Sequence, residues 1–355
     1  MKFDQIDKFI KIDEEGFFVF SGQQLKEPDE GKALLNNLHR LENDSIATKL
    51  NDVTAIVEAY DQPIVVQQVE CNEDKTRWTL IAHYGVHIPF ELNKLSIDEW
   101  DRFLGRTEDN IPFVFSRKAQ NEFFNLVDEF DDDGFTVNGK YYSLPYWLTT
   151  AQDKDYNEID SSDYWTKAYN DNETPGWEMN APNPALVHTL PQLKLTRSRV
   201  AVLGCGSGND AAHWAEQGHL VTAFDFSPEA IKRAQEKYSG VKNLEFVQQD
   251  VFNLDDKYIE QFDIVFEHTL YCAIRPQKRD ELVKVWRKLL HSEGHLLGIF
   301  FAMDRPSGPP FGGSEWEIER RTHKSFSPLY WTRWQTSAGG RQGKELVVYA
   351  RLTKS

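Results

Sequence analysis

Cysteine is scarce in this chain: Cys71, Cys205 and Cys272 are the three among 355 residues. Thiols so few and so far apart make neither a disulfide framework nor a zinc-ligand spacing, so a stapled secreted scaffold and a metal module are both set aside. No run of about 18 apolar residues occurs, which removes a spanning helix. The opening residues, Met1 to Asp7, lack the apolar centre of a secretory signal. Basic residues are outnumbered, with 40 Lys and Arg against 56 Asp and Glu and a net charge of −16. Residues 1–150 carry most of the imbalance, 28 acids against 15 bases. A surface this acidic is a poor partner for a phosphate backbone and reads as a solvated face. These absences point to a cytoplasmic protein with no membrane and no nucleic-acid partner.

What is present is enough apolar surface for well-packed interiors, 40% of residues with aromatics at 13%. At this length two domains are expected. Residues 1–150 read as a small α+β accessory domain. Strands are expected at Gly16 to Phe20, Pro63 to Glu70 and Arg77 to His83, with a turn over residues 71–75. Helices are expected at Gly31 to Leu41, Asp98 to Leu104 and Lys118 to Phe130. Asn138-Gly139 between apolar flanks signals a hairpin, because both central positions of a type I′ turn need positive φ. Asp131, Asp132 and Asp133 lack the alternate spacing and closing Glu of a calcium loop, and no metal site is expected. Nothing in this region looks catalytic, and regulation or oligomerisation is the role left to it. Residues 151–163, polar and acid-rich, read as a linker to a second domain at 164–355.

Beyond the linker the pattern alternates strand and helix, which implies a parallel sheet flanked by helices. Val200 to Leu203 is a buried strand. It ends in Gly204-Cys205-Gly206-Ser207-Gly208, and a helix then starts at Asn209. A strand that turns through glycines into a helix presents backbone N–H groups to a nucleotide-like ligand. Asp225 closes the second strand 21 residues after Gly204, the distance that sets a carboxylate beside the ribose hydroxyls. Ser227-Pro228-Glu229 then starts another helix. Further strands are expected at Leu244 to Val247, Phe262 to Glu267, Gly294 to Phe301 and Glu345 to Leu352, the last antiparallel and paired near Leu329 to Gln335. The helix from Asp280 to Leu290 turns Leu282, Val283, Trp286, Leu289 and Leu290 inward.

Two cofactors compete for such a sheet. A dinucleotide prefers Gly-x-Gly-x-x-Gly, whereas the spacing here is Gly-x-Gly-x-Gly followed by Asn-Asp. Asp250-Val251 suits an adenine contact, the carboxylate taking the exocyclic amine and the valine covering the ring. S-adenosylmethionine is therefore the preferred cofactor. The turn, with Gly204, Cys205, Gly206 and Gly208, is assigned to its methionine part, Asp225 and the adjoining Phe226 to the ribose side, and Asp250 and Val251 to the adenine.

Val200 to Gly208, Asp225 to Ile231 and Asp250-Val251 together resemble a class I S-adenosylmethionine-dependent methyltransferase. Before them stand Tyr164-Trp165-Thr166-Lys167-Ala168-Tyr169 and Thr174-Pro175-Gly176-Trp177-Glu178, with Pro182 and Pro184 following. This run, with Tyr271 to Arg279 and Gly308 to Gly312, resembles the thiopurine S-methyltransferase family and its thiol and halide branch. The likeness covers residues 160–355. It departs at Tyr169, where the family has a second tryptophan, and at Trp177, displaced by about one residue. The resemblance implies a Rossmann-like class I methyltransferase sheet, mostly parallel with the last strand antiparallel, preceded by the α+β domain. It also implies that Trp165, Tyr169 and Trp177 close over the cofactor.

Glu267 ends the fourth strand, where ligands of open α/β sheets collect, and is a candidate for both the cofactor and the chemistry. His268 and Tyr271 are candidate proton acceptors, each as readily a structural hydrogen-bonder. Arg279 is a candidate for an anionic substrate, with an exposed helix-start arginine as the alternative, and Phe311 for the substrate wall. The function expected is methyl transfer to a small molecule, a thiol sulfur or related soft anion first. O- or N-methylation, or a cofactor-binding regulator with little turnover, stand as alternatives, because fold and cofactor site do not fix the acceptor.

Overall fold

The computed structural model describes residues 8–50, 53–148, 156–171 and 174–353. The chain divides into two compact units. One takes residues 1–154 with Met303–Ser307 and Gly312–Glu317; the other takes Asp155–Ala302, Gly308–Phe311 and Ile318–Ser355.

The second unit is built on a seven-stranded sheet: β1 (Arg199–Leu203), β2 (Leu220–Asp225), β3 (Leu244–Gln248), β4 (Phe262–His268), β5 (Leu290–Phe301), β6 (Phe326–Trp334) and β7 (Glu345–Leu352). Their order is β3-β2-β1-β4-β5-β7-β6. β7 pairs antiparallel with both β5 and β6, while the pairs from β3 to β5 are parallel. This is the expected Rossmann-like methyltransferase sheet. Val200 to Leu203 are all nearly inaccessible, because apolar clusters cover both faces of the sheet. That is why the strand reads as an unbroken apolar run rather than an alternation.

The helices of this unit include α1 (Ser162–Asp171), α2 (Pro184–Gln192), α3 (Asn209–Glu216), α4 (Pro228–Lys237), α5 (Leu270–Ala273) and α6 (Arg279–Leu289). Asn183 caps α2 through Ala185 N–H, and Ser227 caps α4 through Ala230 N–H, each followed by proline at the first position. The strand order reverses at β1 and β4, so the carboxyl ends of these two strands open the crevice where such sheets bind ligands.

The first unit holds two six-stranded sheets and a three-stranded one, with helices at Pro28–Asn36 and Arg117–Leu126. The hairpin at Asn138-Gly139 is there, with φ of 52° and 72° joining Gly134–Val137 to Lys140–Ser143. The helix expected at Asp98 to Leu104 is not. Asp98 Oδ1 accepts the N–H groups of Trp100 and Arg102, Asp101 turns left-handed at φ 57°, and Phe103–Arg106 is a strand. A short acid that captures backbone donors offers the chain a turn instead of a helix. The helix expected to reach Phe130 ends at Leu126, because the Asp128 N–H is taken by the Thr136 carbonyl of the hairpin sheet.

The segments from beyond residue 300 are integral to this unit. Asp304 receives Arg40 at 2.5 Å and Arg106 at 2.8 Å. The Arg102 guanidinium lies 3.4 Å from the centre of the Trp316 ring, which stands edge-on to Trp100. Of the stretch expected as a linker, residues 151–155 lie outside the described residues, as does the Met1 to Asp7 reading. Its second half is a 3-10 turn at Tyr156–Asp160 leading into α1, and Asp160 pairs with Arg275.

Candidate active site

The glycine turn after β1 has positive φ at Gly204 (61°), Gly206 (53°) and Gly208 (82°), which is the left-handed region that side chains resist. At Gly206 an added Cβ would also sit 2.8 Å from the Tyr169 hydroxyl, which would have to move aside. The Gly206 N–H donates to Asp225 Oδ2 at 2.9 Å, and Ser227 N–H donates to Oδ1 at 2.9 Å. The end of β2 is thereby tied to the turn. Burial pushes the Asp225 carboxyl up, against the pull of these backbone donors. Cys205 donates its N–H to Phe224 O, and its thiol is raised well above the ordinary range by burial.

Over this turn lies the aromatic segment. Trp165 and Trp177 meet edge to face with centroids 5.5 Å apart, and Tyr169 and Trp177 do so at 5.7 Å. Trp177 Nε1 donates to the Tyr169 hydroxyl, and Trp165 Nε1 to Ile159 O. Burial, with Asp225 adding to it, raises the Tyr169 phenol far up, so it stays a neutral hydroxyl. Glu178 accepts from Ser207 Oγ and from Asn209 Nδ2, and Thr166 Oγ1 meets Ser227 Oγ at 3.0 Å. The three aromatic residues expected to close over a cofactor are thus brought together with the turn. Neither Glu178 nor Thr166 was singled out from sequence, although each directly follows a tryptophan of the segment.

Beyond β3, Asp250 caps a 3-10 turn, its carboxylate accepting from Phe252 N–H and Asn253 Nδ2. Val251 is buried and Phe226, after Asp225, half-buried.

Charged side chains gather at the end of β4. Glu267 is fully buried, and both its oxygens accept the Tyr271 N–H, at 3.0 and 3.2 Å. Burial pushes its carboxyl up to about 7, against the pull of that N–H and of nearby His268 and Arg279. His268 is not placed as a free proton acceptor. Its Nδ1 meets Asp210 Oδ2 at 2.6 Å, and Asn183 Nδ2 and Arg341 Nη1 both approach Nε2 at 3.0 Å. Two donors approach Nε2, so it is assigned as the acceptor and the proton on the Asp210 side to Nδ1. Burial raises the Asp210 carboxyl, but His268 and the Asn183 N–H more than offset this and its pKa falls below the usual value.

Tyr271 is 1% exposed, its ring packed between Trp286 and Phe300, which makes it part of the core beneath the site. Arg279 is neither exposed nor turned to solvent. It is wholly buried 4.3 Å over the Tyr271 ring, donating to the carbonyls of Tyr271 and Phe311. Phe311 is buried, its N–H on Cys272 O at 2.6 Å and its ring against Tyr156. Asn183, Asp210, Arg341 and Glu345 join this site without a sequence signal, since four separate elements bring them together. Among the described residues, no cluster of His, Cys, Asp and Glu could hold a metal ion, and no helix is long and apolar enough to cross a membrane.

The profile of a family described as Thiopurine S-methyltransferase matches residues 160–337. A probable thiol methyltransferase 2 of Arabidopsis thaliana is 32% identical over 164 residues, 45% of this chain and 71% of that protein. Thiocyanate methyltransferase 1 of Brassica oleracea is 32% identical over 41% of this chain and 66% of its own length, so just under two thirds of that relative is spanned. A thiopurine S-methyltransferase of Shewanella pealeana is 25% identical over 41% and 74%. Among solved structures, a Burkholderia thailandensis 1,6-didemethyltoxoflavin-N1-methyltransferase with bound S-adenosylhomocysteine matches 64% of this chain and 99% of its own at 22% identity, TM-score 0.45.

Proposed function

Because this chain belongs to the thiopurine S-methyltransferase family, we propose that it moves the methyl group of S-adenosylmethionine onto the sulfur of a small thiol or related soft anion. The observation that carries the reading is a turn with three glycines at positive φ, flanked by buried Asp225 and Glu267 and covered by the Trp165, Tyr169 and Trp177 rings. These residues fit S-adenosylmethionine: acceptors for hydroxyls, backbone for a carboxylate, aromatic faces and carboxylates for a cation.

The bound cofactor supplies a methyl carbon on a sulfonium, open to in-line displacement. Gly204, Gly206 and Gly208 with Cys205 take its methionine part, Asp225 with Phe226 the ribose, and Asp250 with Val251 the adenine. Trp165, Tyr169 and Trp177 shed water from the reacting atoms, and their faces favour positive charge. Glu267, neutral below its raised pKa, ionises when a cation is placed beside it and then holds that cation electrostatically. Phe311 walls the acceptor side, with Arg279 and Tyr271 positioning its loop. His268 orders Asp210, Asn183 and Arg341 rather than removing a proton. A soft anion or low-pKa thiol arrives as the anion, its proton left to solvent, so methyl transfer needs alignment more than a base.

Calorimetry with S-adenosylmethionine, followed by methyl-labelled turnover on a panel of thiols, thiocyanate, halides, alcohols and amines, tests this. Thioether formation is expected. Product from amines or alcohols alone would move the acceptor, and tight binding with no product from any member would favour a regulator. Asp225→Ala is expected to weaken S-adenosylhomocysteine binding by at least about tenfold; unchanged affinity sinks the nucleoside assignment. The same reading keeps residues 1–150 as an accessory domain for regulation or oligomerisation, and places the protein in the cytoplasm on its composition and three free thiols. Sedimentation with and without S-adenosylhomocysteine checks the first of these.

A further inference from the structure

Arg341 stands in the loop between β6 and β7, a stretch with no motif of its own. Its side chain is nearly buried, and its guanidinium faces three ways at once. Nη1 donates to His268 Nε2 at 3.0 Å at the end of β4. Nη2 donates to the backbone carbonyl of Trp177 at 2.9 Å in the aromatic lid. Glu345, at the start of β7, lies 3.6 Å away, and the Phe301 ring is 5.0 Å below the guanidinium carbon. His268 and Glu345 are themselves joined by Asn183, which donates to both. The arginine therefore joins the end of β4 and the start of β7 to a main-chain carbonyl of the aromatic segment.

We propose that Arg341 is the latch of the lid: a positioning residue that holds the Trp177 segment down on the donor site and sets how long the donor and its product stay bound. The hold passes from Arg341 to the Trp177 backbone, then from Trp177 Nε1 to the Tyr169 hydroxyl, which sits on Gly206. The chemistry suits the task. A guanidinium is planar and offers five donors in a fixed fork, so it can bind two acceptors on different elements at once, where an ammonium satisfies one geometry at a time. Its charge is balanced in place by Glu345, and the Nδ1–H tautomer of His268, fixed by Asp210, keeps Nε2 as an acceptor. The carbonyl it grips is a main-chain atom, so no substitution at position 177 removes the first bond of the latch, only what it transmits.

The inference rests on the lid and cofactor reading above, but its test needs no acceptor. The probe is S-adenosylhomocysteine on the full chain, followed by calorimetry and by stopped-flow dissociation. Arg341→Met is expected to raise Kd and the dissociation rate by at least about tenfold, the effect of losing a charged hydrogen bond. The acceptor KM at saturating donor should stay within about twofold. Arg341→Lys retains the charge and is expected to fold normally yet recover little of the slow dissociation, which covers the case where the methionine variant unfolds. Trp177→Ala should speed dissociation too, and the double variant should be no faster than the quicker single one, because both break the same chain. Additive rates in that cycle, or wild-type dissociation in Arg341→Lys, would overturn the latch. If the unaltered protein bound no S-adenosylhomocysteine, the cofactor reading itself would fall instead.

Discussion

At the residue scale, Glu267 shows how burial writes a pH dependence into the site. Its carboxyl is raised from 4.5 to about 7, with desolvation the leading cause. A raised acid favours folding in its neutral form, so the stability it contributes is full below the unfolded value and is lost as pH rises through about 7. Glu267→Gln keeps the group neutral and should flatten that decline. The gap between wild type and variant should grow by up to about 3 kcal/mol from pH 5 to 8. Urea midpoints across that range read it, and parallel curves for the two proteins would contradict it. Asp210 carries the opposite sign. Its pKa is lowered, chiefly by His268 once its burial is offset, so its contribution disappears as pH falls through the folded value.

At the scale of the element, the glycine turn and the proposed aromatic lid meet at Gly206 and Tyr169. Gly206→Ala would combine a left-handed residue with a Cβ 2.8 Å from the Tyr169 hydroxyl. The backbone strain costs about 1 kcal/mol, and the clash falls on the lid rather than on the core. Donor affinity should therefore fall further than the thermal midpoint, which calorimetry and melting of the same variant compare directly. Ser227→Ala differs. It removes the cap on α4 and the contact with Thr166, and should lower stability by about 1 kcal/mol. The turn, its flanking strands and the α4 cap were legible because local chemistry dictates them: β-branched residues, glycines at alternate positions, and a Ser-Pro start. The Asp98 turn was misread as helix because an apolar periodicity over seven residues is weaker than two side-chain bonds to the backbone.

At the scale of the whole molecule, the boundary near residue 150 is natural in sequence but does not contain the first unit. Asp304 answers Arg40 and Arg106, and Trp316 underlies Arg102, from more than 150 residues away. A fragment of residues 1–150 lacks both, so Arg40 and Arg106 lose Asp304, and Arg102 loses the Trp316 ring while keeping Asp61 and Asp98. Removing one side of a largely buried ion pair is destabilising. Such a fragment is expected to melt well below the same unit in the full chain. Equal melting would show that the returning segments add nothing.

By itself the sequence determined the sheet's strands, the glycine turn with Asp225 at the end of the next strand, the aromatic segment ahead of them and the family. Each is encoded over a few neighbouring residues, by periodicity, by φ requirements or by capping chemistry. Only the tertiary structure decided that His268 joins Asp210, Asn183 and Arg341, that Arg279 is interior, and that Arg341 meets the Trp177 carbonyl. Those roles depend on partners tens to more than a hundred residues apart, and no local pattern specifies which buried donor will meet which acceptor.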